Sequence, residues 1–170
     1  MSGFSDLKSD SDGLIRVHPT SQLTNAMIES VRLSDDFIIQ EFVPREVFEI
    51  FGTKSSWFID IRIVHVCQYL RDLTQKSLTV NNWYWDGSYN NSGFRKADAS
   101  IGAIMSQHKY GRAADIKIEG LDPKEIEQIV YDNWIELRRL GLSTIEKVSS
   151  TPTWMHLDVR HTGMGGIFIV

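Results

Sequence analysis

The chain has 170 residues, 42% of them hydrophobic and 24% charged, the proportions of one globular domain with a single sizeable core. Its net charge is −4 with a pI near 5.7, and no stripe of lysine and arginine interrupts it, which argues against a nucleic-acid-binding surface. A single cysteine, Cys67, excludes an internal disulfide, and no apolar run approaches the roughly 18 residues of a membrane span.

Residues 1–32 read as an N-terminal extension, partly mobile where Ser, Asp and Gly dominate in "MSGFSDLKSDSDG". That stretch has no basic segment followed by an apolar core, so no signal peptide is expected. "TSQLTNAMIESVRL" suits a short helix, and "LSDDFIIQEFVP" ends at a break, Pro44. A helix is predicted over "SSWFIDIRIVHVCQYLRDLTQ", where Ile59, Ile63, Val66, Cys67, Leu70 and Leu73 recur near helical period. Asp60 near its start suits the helix dipole. "SLTVNNWYW" reads as a strand rich in β-branched and aromatic residues, and "DGSYNNSG" as a loop. "ADIKI" alternates as a strand does. "GLDPKEIEQIVYDNWIELRRLG" reads as one long helix, with Asp122 as N-cap, Pro123 at N1, Glu125 closing a capping box and Gly141 as the stop. Ile126, Ile129, Val130, Trp134, Leu137 and Leu140 line one face of it. "STIEKV" and "TWMHLDV" follow as strands joined by "SSTP", and "GIFIV" as a short last strand. Helices grouped against a small, mainly antiparallel sheet make residues 33–170 an α+β domain.

Two segments carry candidate chemistry. "SQHKYGRAAD" places His108 and Asp115 seven positions apart, separated by small residues. "WMHLDVR" alternates His156 and Asp158 along a strand, so both point to one face. A three-ligand zinc site built from His108, Asp115 and His156 would leave a fourth position for water. Gly111 would let the chain turn between the first two ligands. Spacing alone favours a bland arrangement, with Asp115 bonded in a turn and His156 satisfied in the core. Elsewhere, His65 reads as a core or boundary histidine, His18 as exposed and Trp154 as core. His161 borders the second segment. Trp83, Tyr84 and Trp85 either line a groove or divide between core and surface. Ser106 has no positioned base and suits a hydrogen-bonding role.

Together the two segments resemble the motifs of the D-Ala-D-Ala carboxypeptidase family of zinc peptidases, which shares its metal core with lysostaphin-type enzymes and the hedgehog domain. The first motif, S-x-H-x-x-G-x-A-x-D, is matched by Ser106, His108, Gly111, Ala113 and Asp115. The second, a histidine followed by x-D, is matched by His156 and Asp158. "SGFR", Ser92 to Arg95, resembles an upstream "SGYR" element, and "LSDDFIIQEF" resembles the opening of these domains. The resemblance spans about residues 33 to 170. It implies bound zinc at His108, Asp115 and His156, contact of Arg95 with substrate and oxyanion, and cleavage of peptidoglycan peptides near D-amino acids. Some members are phage endolysins cutting between L-Ala and D-Glu. An enzyme of that kind, without a signal peptide, would stay in the host cytoplasm until release to the wall, or travel with other virion proteins.

One position departs from the family pattern. Many members carry a catalytic glutamate three residues before the last histidine, and here that place is Thr153. Two carboxylates stand as substitutes. Asp158 shares a face with His156, as base or as the partner that orients a zinc-bound imidazole. Glu146 lies on the preceding strand, and its direction depends on the strand register. Thr153 also opens an alternative: a catalytically silent zinc-containing module, such as a virion component.

Overall fold

A computed structural model describes residues 31–170. Most of the N-terminal extension, including His18 and nearly all of the helix expected in "TSQLTNAMIESVRL", lies outside the described residues. Four α-helices and a five-stranded sheet form an α+β fold. The helices are α1 (Arg45–Phe51), α2 (Ile61–Thr74), α3 (Pro123–Asp132) and α4 (Trp134–Leu140). The strands are β1 (Leu78–Thr79), β2 (Ala113–Ile118), β3 (Thr144–Ile145), β4 (Met155–Asp158) and β5 (Phe168–Ile169). They lie in the order β1-β2-β4-β3-β5, antiparallel throughout except for the parallel β3–β5 pair.

Alternation sorts the two faces of this sheet. Ala114, Ile116 and Ile118 of β2 point into the main core with Met155 and Leu157 of β4 and Ile145 of β3. Onto that face pack Ile63, Val66, Cys67 and Leu70 of α2, Ile126 and Val130 of α3, and Leu137 of α4. The opposite face carries Asp115 and Lys117 of β2 and His156 and Asp158 of β4. A period of two therefore puts the candidate ligands Asp115 and His156 on the side away from the helices. A second, smaller core gathers Ile39, Val43, Val47, Phe48 and Trp83.

Local signals act as their chemistry dictates. Asp60 caps α2, accepting from Arg62 N at 3.2 Å. Asp122 and Glu125 close a capping box at 2.9 and 2.7 Å. Three expectations need correction. The predicted strand "SLTVNNWYW" pairs only at Leu78–Thr79, because Trp83–Trp85 turn into a short 3-10 helix that buries Trp83 and exposes Tyr84 and Trp85. The single long helix breaks at Asn133, whose side chain donates to Ile129 O at 2.9 Å and whose backbone leaves helical geometry. The break turns Trp134 off the apolar face and out to solvent. His65 is exposed on α2 rather than held in the core.

Candidate metal centre

Each ligand comes from a different element. His108 lies in a 3-10 turn, Gln107–Tyr110, that ends at Gly111 with φ of +65°. A Cβ on Gly111 would stand 1.7 Å from the Phe58 carbonyl oxygen, so only glycine brings the turn this close to the preceding helical segment. Asp115 is the third residue of β2, and His156 faces it directly across the β2–β4 pair. Cross-strand neighbours have Cβ atoms about 5 Å apart, within reach of a shared ion.

Three donor atoms converge. His156 Nδ1 lies 2.8 Å from Asp115 Oδ1, His108 Nε2 lies 3.2 Å from the same oxygen, and the two nitrogens are 3.2 Å apart. A tetrahedral divalent ion bound at about 2.0–2.1 Å would hold its ligands about 3.3 Å apart, so the triangle is close to the required size. Both histidines are buried, and 13% of the Asp115 side chain is exposed.

Hydrogen bonds behind the ligands fix which atoms face inward. His108 Nδ1 lies 2.7 Å from the Gly93 carbonyl, which can only accept, so the proton is on Nδ1 and the Nε2 lone pair turns to the cluster. His156 Nε2 lies 3.3 Å from Asp158 Oδ2 and donates to it, which frees the Nδ1 lone pair. In these tautomers two imidazoles and a carboxylate aim three lone pairs at one point. Such an arrangement calls for a cation, and the second-layer partners are those that metal-binding histidines use. The group formed by His108, Asp115 and His156 could therefore hold a metal ion.

Electrostatics agree. Without a metal, burial opposes charging His156, but hydrogen bonds to Asp115 and Asp158 outweigh it and push its pKa up to about 9. Burial likewise raises the Asp115 carboxyl, and the bonds to His108 and His156 overcome it, holding the group well below the carboxylate range. A proton on His156 would take the place that a cation fills.

Arg95 adjoins this centre. Its Nη2 pairs with Asp115 Oδ2 at 2.6 Å, and its Nε donates to Asn91 O at 2.6 Å. The "SGFR" segment does more than supply this arginine. Ser92 O accepts from Asp115 N at 2.7 Å, Gly93 O accepts from His108, and Arg95 N donates to His108 O at 3.0 Å. Three residues of this segment thus brace two ligands, a role that the sequence does not announce.

The two candidate base residues are placed differently. Asp158 is fully buried behind His156, on the side away from the donor triangle, and accepts from the backbone and guanidinium of Arg160. Burial raises its carboxyl, but bonds from His156 and Arg160 prevail and keep it ionised. That is the place of a partner orienting the imidazole. Glu146 lies across from His156, donating its backbone N–H to His156 O at 3.4 Å in continuation of the β3–β4 register. Asp115, His156 and Glu146 therefore stand in a row across three strands. Thr153 is exposed at the rim.

Asp115 and Arg95 open into a cleft of about 520 Å³ that Tyr89, Lys117, Thr153 and Trp154 also line. Trp154, expected in the core, is 37% exposed on this wall. Tyr84, Trp85 and His161 lie outside the cleft lining. Ser106 starts the His108 turn, its carbonyl accepting from Lys109 N at 3.0 Å.

No family model, curated protein or solved structure matches the chain. Functional reading rests on the motifs and on this geometry.

Proposed function

We propose that the protein is a zinc peptidase that hydrolyses peptidoglycan stem peptides near D-amino acids, as phage lytic enzymes do. The carrying observation is the donor triangle of His108, Asp115 and His156, with both imidazole tautomers set by partners behind them and with Asp115 lining an open cleft. Nitrogen donors with one carboxylate suit zinc better than magnesium or calcium, which favour oxygen. We read the sheet and the site-bearing face as the D-Ala-D-Ala peptidase and hedgehog-like arrangement that the motifs suggest.

Zinc, when bound, would supply Lewis acidity and lower the pKa of a bound water towards neutrality. Glu146, in the row beside His156, takes a proton from the attacking water and delivers it to the leaving amine nitrogen. Arg95 stabilises the oxyanion from the cleft wall while its Nη2 holds Asp115 in place. Asp158 keeps the Nδ1 lone pair of His156 turned inward.

Metal analysis is expected to find about one zinc per chain. Mass spectrometry of digested peptidoglycan should show new amino termini at one bond type, and His108→Ala should abolish both the metal and the products. Normal turnover by that variant would refute the reading. Thr153 favours a second one, a zinc-holding binding module without catalysis, for instance in a virion. It predicts bound zinc and wall binding with no hydrolysis product under any condition.

A further inference from the structure

Lys117 follows Asp115 by two residues on β2, which places it on the same face and about 6.6 Å further along the strand. Its Nζ donates to the Thr153 carbonyl and lies 5.4 Å from the Tyr89 ring centroid. These contacts hold the ammonium in the wall of the cleft, beside the metal centre. Among the described residues no carboxylate comes within ion-pair distance of it.

Of the cleft's other charges, Arg95 is paired with Asp115, and Asp115 is itself one of the three donors. Asn90 accepts from Arg45 N and donates to Glu46. The remaining lining is uncharged: the aliphatic Val80 and Ile101, and aromatic, hydroxyl or amide side chains. An ammonium with one hydrogen bond to a carbonyl keeps two donors for an incoming anion.

We propose that Lys117 is the specificity residue of this cleft and binds a carboxylate of the peptide, one or two residues from the bond held at the metal centre. The position of that bond rests on the peptidase reading; the anion site does not. An extended peptide advances about 3.3 Å per residue, so the 6.6 Å from Asp115 to Lys117 spans two residues, or one residue and its side chain. The ligands are therefore acidic peptides, and neutral peptides of the same shape bind more weakly.

The test uses zinc-loaded full-length protein and calorimetric titration with three tetrapeptides of one backbone. The first has a glutamate and an amidated terminus, the second a glutamine and a free terminal carboxylate, the third a glutamine and an amidated terminus. At least one charged peptide should bind about tenfold more tightly than the neutral one. Lys117→Met should erase that preference and Lys117→Arg should restore it, with zinc content unchanged in both. Equal affinity of the wild type for all three peptides, or a preference that survives Lys117→Met, would overturn the proposal. Charge preference without turnover overturns the peptidase reading and leaves the lysine assignment standing; turnover without charge preference does the reverse.

Discussion

At the scale of single residues the carboxylates divide the work by position. Glu146 and Asp158 both neighbour His156, yet one lies across the strand pair and the other behind the ring. Glu146→Gln is expected to keep zinc and lower kcat by about a hundredfold or more, the usual scale of a lost general base. Asp158→Asn should instead weaken metal binding by about 10–100-fold, since it disturbs the tautomer of His156. Metal titration alongside peptide turnover separates the two, and an unchanged kcat in Glu146→Gln would move the base elsewhere. His108, Asp115 and His156 were legible as a group only through the motifs they resemble, since their spacing alone favours a bland arrangement, and the structure brings the three together. The choice between Glu146 and Asp158 was not. It depends on which β3 residue pairs with which β4 residue, a register set by packing of Ile145 and Leu157 into the core. Trp154 was misplaced for a related reason: a tryptophan beside a core strand reads as core until the cleft next to it is known.

Elements here are short, and turns position the site as much as strands do. His108 is held by a 3-10 turn whose last residue, Gly111, touches the Phe58 carbonyl. Gly111→Ala combines an unfavourable left-handed backbone with a clash against main chain. It should cost about 2 kcal/mol or more in thermal or urea unfolding, with loss of zinc affinity. A variant as stable as the parent would show that the turn relaxes freely. Helix ends were legible at Asp60, Asp122 and Gly141 because a cap is a one-residue signal. The break at Asn133 was hidden, since the apolar spacing continues through it. Only the Asn133 side-chain bonds, one from Tyr69 Oη at 3.3 Å and one to Ile129 O, reveal a site where local bonding beats helix continuation. The two-residue β1 was overread because aromatic residues that pack into a second core look like strand residues.

For the molecule as a whole, stability should vary with pH through a group remote from the metal. Burial pushes the Glu41 carboxyl up to about 7, against the opposing bond from Ile38 N. A raised carboxyl favours the protonated fold, so its contribution is full below about pH 4.5 and is lost as pH rises to about 7. The linkage is on the order of 3 kcal/mol. Glu41→Gln keeps an acceptor for Ile38 N and should flatten this decline, raising the melting temperature at pH 7.5 more than at pH 4.5. Equal shifts at both values would assign the pH dependence to other groups. The pairing of Asp115 with His156 has one more consequence, for how the chain finds its fold. A slip of one residue along either strand would exchange the ligands for Ala114 or Leu157 and aim a donor into the helix-covered core. Misaligned sheets would then be unable to capture an ion, so a metal bound at this group would act as a proofreader of strand alignment. Refolding with a chelator present should give slower, more heterogeneous recovery than refolding with zinc, and adding zinc late should rescue only the molecules whose strands are already in step.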